Sequence, residues 1–258
     1  MIVLYDNPFS PFARKVRMVL DYKGLAITRI DALALAHHGD LIRVNPRGEV
    51  PVLVDGDVTV VNLADIVSYL EHRYPEPTLL PADPGARVAA RAWERLADSV
   101  LDAIIHDISI WTWPTHHRSD SPPAGLIDAG CRDIARVLAR GEDTLGDKDY
   151  FCGDLSIADI AVFPHFSALR PLGIGIDAAK HPRLSGWSQC MRQLPVVRRD
   201  LDFVKSAARA KFVDGPSPYE GEKIVWRGDR IEWLFCNGLT DWWYAELKAG
   251  RVVVPASV

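Results

Sequence analysis

Ser10 is followed directly by Pro11 and then by Phe12-Ala13-Arg14-Lys15-Val16-Arg17. Serine before proline has the form of a helix N-cap with proline at the first helical position. The cap oxygen accepts an orphan N–H, and proline lacks only a donor that would go unused there. A hydroxyl at that point stands beside the positive end of the helix dipole. A thiolate held there is stabilised by both, which lowers the pKa of its parent thiol. The same serine also reads as an ordinary cap, and the two roles are compatible. Tyr5, at the end of an apolar run, is a rival hydroxyl. A second feature is Val50-Pro51, a peptide entering a strand in the manner of a cis bond in a tight turn. Were it cis, the Val50 N–H and C=O would face outward and pair with an extended peptide by strand addition. His116-His117 has no further ligands at metal-site spacing, and Cys131, Cys152, Cys190 and Cys236 form no CxxC. Neither a metal site nor a disulfide framework is expected.

The elements that must carry these residues are legible in outline. Residues 2–5 read as a buried strand broken by Asn7-Pro8, and the helix opened by Ser10-Pro11 stops at Gly24. A strand over 26–31 and a weaker helix over 32–44 follow, then the turn Asn45-Pro46-Arg47-Gly48. A strand over 50–54 leads to Asp55-Gly56, a two-residue hairpin signal, and to a returning strand over 58–61. Asn62 caps a helix running to about residue 73. The order βαβ then ββα implies a small mixed sheet, because parallel strands need a crossover. Residues 74–84 hold four prolines and read as a linker. Beyond them the chain is helical to about residue 205, with segments at 87–111, 124–145, 156–169, 184–194 and 196–204. Ser156-Ile157-Ala158-Asp159 opens one of these as a capping-box variant.

Composition narrows the class. The 258 residues are 48% hydrophobic and 25% charged, with net charge −4, so there is no basic field to hold nucleic acid and no pull toward an anionic membrane. No apolar run approaches the ~18 residues of a membrane span. Met1 to Asp6 lacks the basic start of a signal peptide, and a cytoplasmic protein is expected. Four of the eight tryptophans, Trp226, Trp233, Trp242 and Trp243, fall after residue 225. A disordered tail is usually poor in aromatics, so residues 206–258 are expected to be ordered; within them, 224–235 fits a helix or a strand.

Five motifs together resemble the cytosolic glutathione transferase superfamily over about residues 1–205: Ser10 to Arg17, Asn45 to Leu53, Val61 to Leu70, Gly153 to Asp159, and Pro182 to Trp187 followed by Pro195. The resemblance implies an α/β plus all-α fold, a thioredoxin-like N-terminal domain followed by a helical C-terminal domain. The division is 1–74 for the glutathione-binding domain, 75–86 for the linker, 87–205 for the helical substrate domain, and 206–258 for an aromatic-rich extension packed on it. It implies Ser10 as the catalytic residue and glutathione as co-substrate without a metal. Phe12, His38, Glu49, Val50, Pro51, Asn62 and Leu63 are the implied glutathione contacts, with Asp98 reaching across a homodimer interface. His106, Trp111 and Trp113 are the implied contacts to a small hydrophobic electrophile, with conjugation, isomerisation and ether cleavage all open. Three positions depart from the family pattern. Asn62-Leu63 stands where relatives carry Glu-Ser, Gln-Ser or Asp-Ser, and Glu49 stands where they often carry Lys, Arg or Gln, with Arg47 available to pair with it. The alternative is a non-catalytic binding or scaffold protein with a degraded glutathione site. A cysteine-based reductase is disfavoured, since Ser10 holds the nucleophile position and no cysteine lies in the first 130 residues.

Overall fold

Four short strands form the N-terminal sheet. In the computed structural model, which describes residues 1–32, 34–112, 120–212, 226–227 and 231–253, β1 (Ile2–Asp6) lies parallel to β2 (Ile27–Asp31) and antiparallel to β3 (Val52–Asp55). β4 (Val58–Val60) pairs antiparallel with β3, completing the order β2-β1-β3-β4 of a thioredoxin-like domain. The parallel pair is joined by α1 (Pro11–Tyr22), the crossover that such a pair requires. In the hairpin, Asp55 and Val58 are register partners and Gly56 takes a φ of 60°. The turn residues are therefore Gly56-Asp57, one position later than the Asp55-Gly56 signal, because glycine is needed where the first turn residue has positive φ.

The helix expected over 32–44 is instead a 3-10 turn, Leu35–His37, followed by α2 (His38–Val44). His37 supplies no side-chain cap, and Gly39 weakens the first turn. Leu41 of α2 meets Tyr5 and Val52 in an apolar cluster with Val3, Ile30 and Val54 packed around it. α3 (Leu63–Arg73) buries Ile66, Val67 and Leu70, and α1 buries Ala13, Val16, Met18, Val19 and Leu20. α1 also buries three cations. Arg14 Nε lies 2.9 Å from Asp200 Oδ2, Lys15 Nζ 2.6 Å from Glu94, and Arg17 Nη2 2.7 Å from Asp200. Burial pushes the Arg14 pKa down, opposed by Asp200. Lys23 binds Glu71 at 3.0 Å and donates to the carbonyls of Tyr74 and Pro77, pinning the proline-rich segment to the sheet domain.

The segment expected as one helix over 87–111 is α4 (Pro84–Leu96), a π-helical turn over Ala97–Leu101, and α5 (Asp102–Thr112). α6 (Leu126–Leu145), α7 (Ile157–Leu169), α8 (Pro182–Gln193) and α9 (Pro195–Phe212) follow. α9 continues past the expected end at 204 because Lys205-Ser-Ala-Ala-Arg-Ala-Lys211 has strong helix propensity after its apolar period fades. Asp159, fully buried, accepts from Phe151 N, Trp187 Nε1, Ser156 N and Ser156 Oγ at 2.9 to 3.1 Å.

The chain divides into two compact units, one of Met1–Glu94, Lys148–Pro164 and Trp187–Ala207, the other of Arg95–Asp147, His165–Gly186 and Ala208–Val258. In the second, α5 and α6 approach closely at Gly130, where a Cβ would come within 2.6 Å of Ile108 Cγ2. Both candidates for residues 224–235 occur: β5 (Trp226–Arg227), which pairs in parallel with β6 (Val252–Val253), and then α10 (Ile231–Cys236). α11 (Thr240–Lys248) follows. Trp233 Nε1 donates to Asp133 of α6 at 3.0 Å, and Trp242 meets Trp111 of α5 edge-on with centroids 5.7 Å apart. No helix among the described residues is long and apolar enough to cross a membrane.

Candidate functional site

Strand direction gathers the candidate residues. β1, β2 and β4 end, and β3 begins, at the same edge of the sheet, because β1 and β2 are parallel and β3 runs against both of its neighbours. Four segments meet that edge: Ser10 after β1, His38 after β2, Val50-Pro51 before β3, and Asn62-Leu63 after β4. No two of them adjoin in sequence.

Ser10 is the N-cap of α1, with φ −62° and ψ 121°. Its Oγ accepts the Ala13 N–H at 3.3 Å, and its carbonyl accepts the Arg14 N–H at 2.9 Å. The oxygen is thus oriented by the helix, while the hydroxyl hydrogen has no acceptor among the described residues. A half-buried O–H at a helix N-terminus is a donor suited to an anion. Tyr5 is no such donor: it is only 8% exposed and built into the cluster with Leu41 and Val52.

The Val50-Pro51 peptide is cis. The loop before it is braced by buried Asn45, whose Nδ2 donates to the Glu49 carbonyl at 3.0 Å and whose Oδ1 accepts the Arg47 N–H at 3.1 Å. The Val50 backbone N–H and C=O have no hydrogen-bond partner among the described residues. Glu49 is met by Arg47 Nη2 at 2.9 Å, which offsets the negative charge at this position.

Asn62 is the exposed N-cap of α3, its Oδ1 accepting the Ala64 N–H at 3.1 Å and its carbonyl accepting Ile66 N–H at 2.8 Å. The Leu63 and Asp65 N–H groups remain at the helix start, the usual receptors for an anion. The half-buried Leu63 side chain adds no polar group, and Asp65 is exposed in the first turn. Phe12 is half-buried at the second position of α1, and His38 is exposed at the first of α2.

The remaining candidates belong to the second unit. Asp98 sits in the π-helical turn and His106 and Trp111 on α5, all half-buried. Trp113, with His116 and His117, lies outside the described residues. Sequence reasoning passed over three residues that shape these segments. Asn45 carried a turn signal but no hint of its two bracing bonds. Arg17 stands out in the sequence only as the end of the Ser10–Arg17 motif, and Asp200 sits in an unremarkable helical stretch. The available clue was the run Arg14-Lys15-Val16-Arg17 inside an otherwise apolar helix face, since buried cations must be paired.

The chain matches the family described as "Glutathione S-transferase, N-terminal domain" over residues 4–78 and that described as "Glutathione S-transferase, C-terminal domain" over residues 104–195. It is 28% identical over 207 residues to Glutathione S-transferase GstB of Escherichia coli strain K12, covering 77% of this chain and 97% of that one. A glutathione S-transferase from Rhodospirillum rubrum F11 shares the fold with a TM-score of 0.68 at 28% identity, over 78% of this chain and 92% of its own. One from Methylobacterium radiotolerans, solved in complex with glutathione sulfonate, gives 0.66 at 29% identity, over 77% and 93%. Two family matches in the order of the two domains, and these relatives along nearly their whole length, agree with the sheet topology: the chain belongs to the cytosolic glutathione transferase superfamily.

Proposed function

We propose that the chain binds glutathione at this edge of the sheet and uses Ser10 to hold it as a thiolate that attacks a small hydrophobic electrophile. The observation that carries this reading is the Ser10 hydroxyl, its oxygen engaged by Ala13 N–H and its hydrogen available, at the N-terminus of α1. A charge-assisted hydrogen bond contributes about 1.5–3 kcal/mol, which is one to two units of thiol pKa. The thiol proton leaves to water. The sulfur then forms a bond to the electrophilic carbon, and with an aryl halide the carbon–halogen bond breaks.

The other contacts follow from the chemistry of each segment. The cysteinyl backbone pairs with the Val50 N–H and C=O beside Pro51, as an added strand does. The γ-glutamyl carboxylate is received by the first N–H groups of α3, with the Asn62 amide beside them and Leu63 adding only apolar surface. His38 meets the glycyl carboxylate, Phe12 packs against the tripeptide, and Glu49, paired with Arg47, braces the loop rather than repelling the ligand. His106, Trp111 and Trp113 are assigned to the electrophile. Asp98 is assigned to the amino group of glutathione bound by the second subunit of a homodimer. The division at 1–74, 75–86, 87–205 and 206–258 and a cytoplasmic location belong to the same proposal.

Calorimetric titration with glutathione, and conjugation of 1-chloro-2,4-dinitrobenzene by the wild type and Ser10→Ala, test it. Heat of binding with a 10- to 150-fold slower Ser10→Ala variant is expected, the range that ~1.5–3 kcal/mol implies. No heat at millimolar glutathione refutes the reading and leaves a binding or scaffold protein. Light scattering that returns one 28.7 kDa chain rather than two refutes the dimer.

A further inference from the structure

We propose that Arg17 is a positioning residue for the Ser10 hydroxyl, acting through the loop that delivers Ser10 to the start of α1. This rests on Ser10 being the thiolate-stabilising group. The Arg17 guanidinium is buried and uses all five of its N–H donors. Nη1 donates to Asp6 Oδ1 at 2.5 Å and to the Asn7 carbonyl at 3.4 Å. Nη2 donates to the Pro8 carbonyl at 3.1 Å and to Asp200 Oδ1 at 2.7 Å, and Nε donates to the same Asp200 oxygen at 3.1 Å. Three consecutive residues before Phe9 and Ser10 therefore hang on one planar group, which Asp200 of α9 anchors from the other side. The Phe203 ring covers it 4.8 Å from the guanidinium carbon. The loop then closes on itself: Asn7 Oδ1 accepts the Phe9 N–H at 2.9 Å, and the Asn7 carbonyl accepts the Ser10 N–H at 3.2 Å. The Asn7 carbonyl is the shared point, bonded to both Arg17 and Ser10.

All five Arg17 donors are taken by Asp6, Asn7, Pro8 and Asp200, so none is left for a thiol held at Ser10. Its effect is on where the hydroxyl points. The catalytic hydrogen bond is a matter of tenths of an ångström, and a loop freed of three bonds no longer holds it there. Lysine cannot substitute, because its ammonium has three donors and no fixed fork.

The test measures the pKa of enzyme-bound glutathione by ultraviolet thiolate absorbance against pH, with kcat and KM for 1-chloro-2,4-dinitrobenzene conjugation. The variants are Arg17→Lys, Asp200→Asn and Ser10→Ala. Arg17→Lys is expected to raise the bound-thiol pKa by about one unit and slow kcat about tenfold at neutral pH. KM for glutathione should stay within about twofold, and the rate should recover as pH rises past the shifted pKa. A folded Arg17→Lys variant with wild-type thiol pKa overturns the proposal, whether its rate is normal or lost at every pH. If Arg17→Lys does not fold, Asp200→Asn, which keeps the loop bonds and weakens the anchor, must shift the thiol pKa upward by a smaller amount; no shift overturns it. An unshifted pKa in Ser10→Ala refutes the Ser10 reading itself, whereas a shift in Ser10→Ala without one in Arg17→Lys refutes the role of Arg17 alone.

Discussion

Replacing Asp159 by alanine should cost this fold a large part of its stability, and the size follows from the donors left behind. The carboxylate is fully buried at the start of α7 and accepts from Phe151 N, Ser156 N, Ser156 Oγ and Trp187 Nε1. Asp159→Ala removes all four acceptor contacts. The Ser156 hydroxyl can rotate to another acceptor, but three N–H groups cannot, and Phe151 and Trp187 are themselves only 2% exposed. Each stranded buried donor costs about 1–3 kcal/mol. These costs do not add fully, because a water can enter the space and satisfy one or two of the donors. A net loss of about 3–5 kcal/mol is expected, the cost of about two buried donors left without an acceptor. Domains are stable by only about 5–15 kcal/mol, so the variant should be close to unfolding. Asp159→Asn should lose less, about 1–3 kcal/mol, because one amide oxygen can still accept from Phe151 and Trp187 while its NH2 faces the Ser156 N–H. Urea unfolding followed by far-ultraviolet circular dichroism reads both variants. A loss below about 1 kcal/mol for Asp159→Ala at unchanged m-value would show that these four bonds do not hold the helix start, and the reasoning would fall.

Gly130→Ala and Gly141→Ala form a contrasting pair on α6. A methyl at Gly130 meets the stiff Ile108 branch at 2.6 Å and should cost about 1–3 kcal/mol, partly offset by alanine's better helix propensity, whereas at Gly141 the nearest atom is Leu184 Cδ2 at 3.3 Å and the change should be near neutral. Equal thermal unfolding shifts for the two would contradict this packing. Trp233→Phe keeps a ring but loses the bond to Asp133, so amides of α10 and α11 should exchange hydrogen faster by an amount matching about 0.5–1.5 kcal/mol. Unchanged exchange would mean that this bond does not hold the C-terminal helices. The Tyr74 hydroxyl, 2.6 Å from Asp55 Oδ2, lowers the Asp55 carboxyl below its ordinary pKa, with Tyr69 assisting at 3.0 Å. A carboxyl lowered on folding adds stability that is complete above its unfolded pKa and is lost as pH falls through the lower folded value. Tyr74→Phe should move the Asp55 titration upward in a carbon-13 NMR series, and an unmoved titration would exclude the hydrogen bond as the cause.

Caps and turns were legible because their chemistry is local. Ser10-Pro11, Asn62 and Asp159 announce helix starts through side chains that bond N–H groups two or three residues away. Such bonds depend on little beyond the neighbouring sequence, and the same holds for the helical run between residues 126 and 145. The hairpin signal lies one residue before the true turn because Gly56 belongs to the pair of turn residues in either register, and only pairing with β3 decides which position takes positive φ. Segment 224–235 is ambiguous because its apolar residues fall in two short groups on either side of Arg227-Gly-Asp-Arg230, each too short to fix a period; a partner strand at Val252–Val253 and a tryptophan bond to Asp133 settle it.

The candidate site divides in the same way. Each segment that builds it carries a readable local signal, but their meeting at one sheet edge follows from strand directions that no local pattern contains. Tyr5 ranks behind Ser10 as a hydroxyl in the sequence, and its burial against Leu41 and Val52 removes it. Arg17 looks like a solvated charge on an amphipathic helix. Its partner Asp200 lies 183 residues away, and only tertiary packing turns two separate charges into the anchor of the loop before Ser10. What the residues alone determined was the chemistry each short segment can offer. The tertiary structure decided which of those offers meet, because a hydrogen bond between distant residues forms only after the chain has brought them within 3 Å or so.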